Sequence, residues 1–367
     1  ILISSQIATA TALVFINVVL YKDANDLVNQ PLGYKTNNII SAVLAIPSAE
    51  QDLQAQKLTE LKEELLALPK IKNVSQALRP SGFRTLALTA GATEQRYTAL
   101  GKDIDDQYFI MLEQVITEGE NFTKTDIKDD RAVMIVNDVF ANKLAPNGSA
   151  LGFKFQNGVE VIGVVESINI PGRKRAESRF YYPASLARNM LLIEEHQGQI
   201  FSREEMVSTL KKIDKKLSLF SFTSLNEYKD RRLFSSVTTA VTTLVLAILT
   251  LFLSGLGLYG ILNYSSQMRH FEIGTRMAIG AKGKDIVGLV FKDNAGALAI
   301  GLVISIVVLL VLYLGFSDSL IAYINLDLLP LFILTLSLIS LLSSLACYVP
   351  LRQFIKKPVI HALKGSE

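Results

Sequence analysis

Four long stretches of this chain carry no charged residue: Ile1–Tyr21, Ser235–Gln267, Asn294–Ser317 and Leu328–Leu351. Each reaches the roughly 20 residues that a helix needs to cross a hydrocarbon core about 30 Å thick. A soluble helix of that length normally keeps one polar face, so the runs predict a membrane protein with four spans. Half of the residues are hydrophobic, but the excess is concentrated in these runs. The segment from Lys22 to Phe234 is polar, contains no such run, and is long enough for a core of its own. The expected architecture is therefore four transmembrane α-helices with a large α+β extracytoplasmic domain between the first and second. Its divisions are 1–21 (first helix), 22–234 (domain) and 235–367 (helices near 236–263, 294–316 and 328–349).

The side of the membrane follows from the distribution of basic residues rather than from the net charge of +3. The 264–293 loop holds Arg269, Arg276, Lys282, Lys284 and Lys292, and the 350–367 tail holds Arg352, Lys356, Lys357 and Lys364. The Asp318–Asp327 turn has acids and neither Lys nor Arg. Positive charge stays inside, so loop, tail and both chain ends are expected in the cytoplasm, with the large domain outside. Tyr21, Tyr259, Tyr264, Tyr313, Tyr323 and Tyr348 lie near span ends and supply an interfacial belt in a chain without tryptophan. The first run is diluted by Ser4, Ser5, Gln6, Thr9, Thr11 and Asn17, which suits a helix packed against others and bonding across the bundle. Because the chain starts at Ile1 with no basic segment ahead of its first span, it reads as part of a longer polypeptide.

Within the domain, Asn38–Ile46 alternates like a strand closed by Pro47. Between Glu50 and Leu68, Leu53, Leu58, Leu61, Leu65 and Leu68 fall on one helical stripe. Phe83–Thr89, Tyr97–Leu100, Ala132–Val136, Val159–Val165 and Leu191–Ile193 read as strands, and Asn137–Leu144 and Ser202–Lys216 as helices. Ser224 followed by Glu227 forms a capping-box pattern. No helix breaker separates it from the second span, so one continuous helix is expected to run from the domain into the membrane. The domain itself is expected to be α+β, in two lobes.

Few residue patterns here suggest chemistry. Gly255-Leu256-Gly257-Leu258-Tyr259-Gly260 spells a dinucleotide fingerprint, but it lies inside a span. Without a strand, a turn and a helix N-terminus it cannot bring amides to a pyrophosphate; small residues for close helix packing are the better reading. Ala297, Gly301 and Ser305 repeat that pattern. No Gly-x-x-x-x-Gly-Lys-Ser/Thr occurs, so the chain has no P-loop of its own. His196, His270 and His361 are split between opposite sides of the membrane on this topology, and Cys347 is the sole cysteine, which excludes an intramolecular disulfide. The pairs Asp105-Asp106, Asp129-Asp130 and Glu194-Glu195 read as solvated surface, as do Lys211, Lys212, Lys215 and Lys216. Arg173, Lys174, Arg175 and Arg179 read as a basic loop after Pro171-Gly172, able to meet anionic lipid headgroups. Three sequons, at Asn73, Asn121 and Asn147, are patterns expected by chance. No charged residue interrupts a span, which argues against an ion or proton pathway through the bundle.

What remains is Arg269–Ile286, a charged, glycine-punctuated segment between two apolar runs. Gly274, Gly280 and Gly283 alternate with Glu272, Arg276, Lys282 and Asp285, a pattern that reads equally as a short helix with turns offered to a protein partner or as an ordinary solvated loop. This segment resembles the signature of FtsX/MacB-type ABC transporter permeases. The matching residues are Glu272-Ile273-Gly274, Ala278, Gly280-Ala281 and Asp285-Ile286, at intact spacing, together with the Pro350, Arg352, Pro358 and Ala362-Leu363 close. The large domain is similar to a MacB-like periplasmic domain at Gly33–Asn38, Ile135–Ala141, Pro146–Gly152 and Val161–Val165.

The resemblance implies a bacterial plasma-membrane (inner-membrane) permease with no catalytic, cofactor or metal site of its own. It implies that ATP is bound by a separate ABC-type ATPase subunit, which engages a coupling loop carrying Glu272, Gly274, Arg276, Gly280, Ala281, Lys284 and Asp285. A second permease unit, as homodimer or tandem half, and membrane lipids are the other implied partners; nucleic acid is not. The implied activity is export of a peptide, antibiotic or lipophilic substrate by mechanotransmission. A non-transporting regulator, whose outer domain activates a cell-wall enzyme or senses a ligand, is the alternative.

Overall fold

The structure, a computed structural model, describes residues 2–46, 51–91, 94–129, 131–174, 176–184, 188–268, 299–309 and 328–355, with scattered residues between 272 and 296 and at 311. The chain divides into two compact units, Leu27–Phe234 and a second formed by Ile1–Asp26 with Ser235–Glu367.

The first unit is built on two sheets. The strands are β1 (Ile39–Ala45), β2 (Ile71–Ser75), β3 (Arg84–Thr89), β4 (Arg96–Ile104), β5 (Ile116–Gly119), β6 (Val133–Asn137), β7 (Glu160–Val165), β8 (Arg179–Pro183), β9 (Met190–Glu195) and β10 (Ser218–Ser224). A four-stranded sheet has the order β10-β1-β9-β2, with β1 antiparallel to both neighbours and β9 antiparallel to β2. A six-stranded mixed sheet has the order β3-β4-β8-β6-β7-β5. Strands β3–β8 are thus an insertion between β2 and β9, which gives the expected two lobes.

Helix α2 (Gln51–Leu66; α1 is the N-terminal helix described below) and helix α6 (Arg203–Ile213) pack on the four-stranded sheet. Leu58, Leu61 and Leu65 bury the predicted stripe against Val74, Leu191 and Ile193, and Met206 and Leu210 add the face of α6. Leu53 does not join them; it lies one turn earlier and is exposed. Ser202 caps α6 with a complete capping box to Glu205. In the other sheet, β6 is buried along its whole length. It leads through α5 (Asp138–Leu144), whose N-terminal Phe140 amide is held by the Asn137 side chain at 3.1 Å. A parallel β6–β7 pair needs such a crossover. Two short helices, α3 (Tyr108–Met111) and α4 (Lys124–Lys128), complete this lobe.

The second unit contains most of α1 (Leu2–Asn29), the apolar length of α7 (Leu225–Met268), α8 (Ala299–Leu309) and α9 (Leu329–Ile355). Among the described residues, three helices are long and apolar enough to cross a membrane: Leu2–Asn29, Leu225–Ser265 and Leu329–Ala346. Helix α8, in the third predicted run, is described for only part of that run. Two helices continue beyond the predicted spans. Helix α1 continues past Tyr21 to Asn29, and α9 does not stop before Pro350 but runs to Ile355. Ile7, Ala10 and Val14 pack against Leu258, Leu262, Ile339 and Ala346. Val241, Val245, Leu249, Phe252 and Leu253 of α7 stay exposed, as lipid-facing residues do.

The hydroxyls of α1 differ from expectation. Ser5, Thr9 and Thr11 donate to carbonyls of their own helix at 2.7–3.0 Å, and the Asn17 amide does the same at 2.8 Å. Gln6 is the residue that crosses, its Nε2 donating to the Ser254 carbonyl at 3.3 Å. Gly257 makes this possible, since a Cβ there would collide with the Gln6 amide. Two of the glycines that mimic a nucleotide fingerprint are therefore helix-packing residues of α7: Gly257 against Gln6 and Gly255 against Leu342, whereas Gly260 faces open space. In Gly257→Leu, the Gln6 amide must leave its site, and proteolysis of detergent-solubilised protein should release fragments containing α1 sooner than from wild type. An unchanged cleavage pattern would mean that the contact does not hold α1.

Candidate functional site: a coupling segment and a domain with buried charge

Glu272, Thr275 and Arg276 are helical. The Arg276 Nη2 donates to Glu272 Oε1 at 2.8 Å, an i,i+4 pair half exposed on both sides. The Ala281 amide donates to the Arg276 carbonyl at 3.0 Å, and Ile279 to Thr275 at 3.1 Å. A six-residue closure of this kind ends a helix in the Schellman manner. Ile279 stands 82% exposed beside that closure. Gly274, Gly280, Lys284 and Asp285 lie outside the described residues, as do the Asp318–Asp327 turn and the tail from Lys356. The Glu272–Arg276 pair is exposed on both sides, and such a pair contributes only about 0.3–0.5 kcal/mol to its own helix.

Upstream, α7 begins at the end of β10. The Ser224 hydroxyl accepts from the Glu227 amide at 3.1 Å, the predicted cap. The helix is unbroken from Leu225 to Met268. At its start Tyr228 is clasped by Arg79, whose guanidinium lies 4.5 Å from the ring centre, and Ser81 donates to its hydroxyl at 2.7 Å.

Three predicted surface charges are instead buried. Asp105 is 3% exposed; its carboxylate accepts from Ser75 Oγ (2.6 Å), the Gln76 amide (2.7 Å), Lys62 Nζ (2.8 Å) and the Gln107 amide (3.2 Å). Glu194, equally buried, accepts from Lys35 and Lys72, both at 2.9 Å. Each belongs to a sequence pair whose other acid points elsewhere, as strand and turn geometry requires. Arg179 is not in the basic loop but on β8, fully buried. Its Nη1 donates to the Ile168 carbonyl at 2.5 Å, and its amide donates to Asn137 Oδ1 at 2.7 Å.

Lys102, on β4, carries no motif and is the second buried cation of this lobe. Its Nζ meets the Arg79 carbonyl (2.7 Å), Tyr108 Oη (3.0 Å) and the Leu78 carbonyl (3.3 Å), and sits 4.2 Å from the Phe83 ring centre. Burial first, and the charges of Arg179 and Arg79 second, hold its pKa well below the ordinary lysine value. The neutral amine also fits this cage, donating to the two carbonyls and accepting from Tyr108. Burial likewise pushes the Tyr108 hydroxyl well up and Tyr181 up to about 12.

These shifts fix a direction for stability. Between the lowered Lys102 value and the unfolded value of about 10.4, the unfolded chain holds a proton that the folded chain lacks. Stability therefore rises with pH through that window. Above about pH 10 the tyrosines act in the opposite sense, because their folded values exceed the unfolded one. Lys102→Met should flatten the rise in domain melting temperature between neutral pH and about pH 10, read by circular dichroism; an unaltered pH slope would count against a lowered Lys102.

Among the described residues there is no cluster of three or more His, Cys, Asp or Glu able to hold a metal ion. Two family models match the chain: the MacB-like periplasmic core domain over residues 3–212, more than half of its length, and the FtsX-like permease C-terminal region over 244–359. The chain belongs to the FtsX/MacB family of ABC permeases. Among curated relatives of this FtsX/MacB-type permease is the macrolide export ATP-binding/permease protein MacB 1/2 of Paracoccus denitrificans (strain Pd 1222). It is 25% identical over 64% of this chain and 37% of the relative. The uncharacterized ABC transporter permease YvrN of Bacillus subtilis (strain 168) is 25% identical over 41% of this chain and 39% of its own. The permease chain thus spans well under half the length of these relatives. The crystal structure of the periplasmic region of MacB from Actinobacillus actinomycetemcomitans aligns over 54% of this chain and 94% of that one, at 16% identity and a TM-score of 0.40. This permease is a membrane protein with a large extracytoplasmic domain, set in sequence between its first two apolar helices.

Proposed function

We propose that this permease unit couples ATP hydrolysis, carried out by a separate ATPase subunit that binds the nucleotide, to movement of its extracytoplasmic domain. The observation that carries the reading is α7: one uninterrupted helix from the Ser224 cap at the domain's last strand to Met268, four residues before the helical Glu272. A force applied to the Glu272–Arg276 segment enters near the end of an element that continues, without a break, to the domain. The chain crosses the bacterial plasma membrane four times, with both ends and the coupling segment cytoplasmic, and works beside a second permease unit. Export of a lipophilic molecule, antibiotic or peptide is the activity that the macrolide-export description of the relatives suggests.

The test uses the permease purified from its native membrane with its ATPase. Glu272→Arg and Arg276→Glu should each lower permease-stimulated ATP turnover by tenfold or more, equivalent to about 1.4 kcal/mol, without changing the melting of the domain. The double swap restores an ion pair within the helix but inverts the surface offered to the partner, so it should remain uncoupled. Recovery in the double swap would mean that only the helix, not its partner, needs the charges. Normal coupling without movement of any exported molecule would favour a regulator over an exporter.

A further inference from the structure

A pocket of about 220 Å³ opens where the β2–β3 connection, β4 and the start of β9 meet, so its walls come from both sheets. We propose that it binds a small amphipathic carboxylate, an acid with a short aliphatic or single-ring body. Leu78, Phe83 and Met190 give it apolar walls. Gly82 and Gly101 line it where no side chain has room: a Cβ on Gly82 would collide with the Leu78 side chain, and one on Gly101 with the Phe180 ring.

Charge decides the sign of the ligand. Arg84 and Arg188 both reach into the lining and both donate through Nη2 to the same oxygen, Oδ2 of Asp103, Arg84 at 2.9 Å. Two guanidinium groups facing one carboxylate leave a positive excess at the pocket. Each guanidinium is a fork of five N–H donors suited to bidentate carboxylate recognition. The Lys102 Nζ is occupied by the Leu78 and Arg79 carbonyls and by Tyr108 Oη, so the two arginines are the groups left to meet a ligand. The volume lies below the roughly 300–1,000 Å³ that takes drug-sized ligands. The pocket therefore fits one ring or a short chain, not a multi-ring molecule. A bound acid would touch the β2–β3 connection, β4 and β9 together.

The test uses the full chain in nanodiscs, with empty nanodiscs subtracted, and follows the ¹⁹F relaxation of 4-fluorobenzoate against neutral 4-fluorobenzamide. The acid should bind at least tenfold more tightly than the amide. Arg84→Gln/Arg188→Gln should erase that preference, and Met190→Trp, which fills the pocket, should remove binding of both. The arginine side chains are 60% and 40% exposed, so their substitution leaves the fold intact and keeps the test decisive even if Met190→Trp unfolds. Equal binding of acid and amide, a preference that survives the double arginine variant, or no acid binding below about 1 mM would overturn the proposal.

Discussion

Asp105→Ala is expected to cost the extracytoplasmic domain about 3–5 kcal/mol, the range for removing one partner of a buried charged network. Ser75 Oγ, the Gln76 and Gln107 amides and Lys62 Nζ all converge on this carboxylate. Truncation strands donors that water cannot readily reach, and stranded donors account for most of such a penalty. The network joins α2, the end of β2 and the end of β4, so no single local shift can satisfy all four. For a domain the size of Leu27–Phe234, a melting temperature lower by about 6–20 °C follows. Lys62→Met, which removes a side chain 27% exposed, should cost much less. A loss below about 1 kcal/mol in Asp105→Ala would mean that the donors find other partners, contrary to the usual cost of orphaned buried groups.

Gly119→Ala should be the second severe change. Gly119 closes β5 with φ +72°, a conformation costing an L side chain about 1–2 kcal/mol. Its Cβ would collide with the Ile162 carbonyl and come within 2.9 Å of the Gly163 Cα, an overpacking term of about 1–3 kcal/mol. Together the loss is about 2–5 kcal/mol, if β5 stays in place. But β5 is an edge strand bonded only to β7, so the chain has a second route, detachment of β5. Hydrogen exchange distinguishes the two: fast exchange confined to Ile116–Gly119 signals detachment, and a lowered melting temperature with normal local protection signals retained strain. Gly158→Ala is the control, with φ +79° but open space around its Cβ; it carries the backbone cost without the collision. Equal behaviour of the two variants would remove the steric part of this account.

Elements with a strong period were readable from residues alone. The α2 stripe, the all-buried β6, the Ser224 cap and the continuity of α7 all follow from local spacing and the absence of breakers. Four strands were missed for physical reasons. Strand β8 begins with Arg179 and ends with Pro183, β10 is half serine and threonine, and β2 and β5 are short with charges inside. What makes them strands is pairing with partners distant in sequence, as in Leu100 with Arg179 or Ile40 with Ser224. The same limit hid Asp105, Glu194, Lys102 and Arg179. A charge is read as exposed until something shows its partner, and those partners lie up to 159 residues away. The residues proposed to couple the ATPase were the reverse case: no apolar periodicity marked them, only charge and glycine spacing between apolar runs and the resemblance those residues carry. Glu272 and Arg276 meet as helix neighbours at i,i+4, which spacing does predict.

Strands β1 and β10 lie side by side, with Ile40 opposite Ser224. The two points where the chain enters and leaves the domain's first sheet are therefore neighbours, although some 180 residues separate them. Such an arrangement makes the domain a cassette. Shortening, enlarging or exchanging what lies between these strands leaves the two attachment points where they were, and closing a longer loop costs only about 0.6 kcal/mol per doubling. Evolution could thus rewrite the outer domain of such a permease, and with it whatever it recognises, while inheriting the membrane helices unchanged.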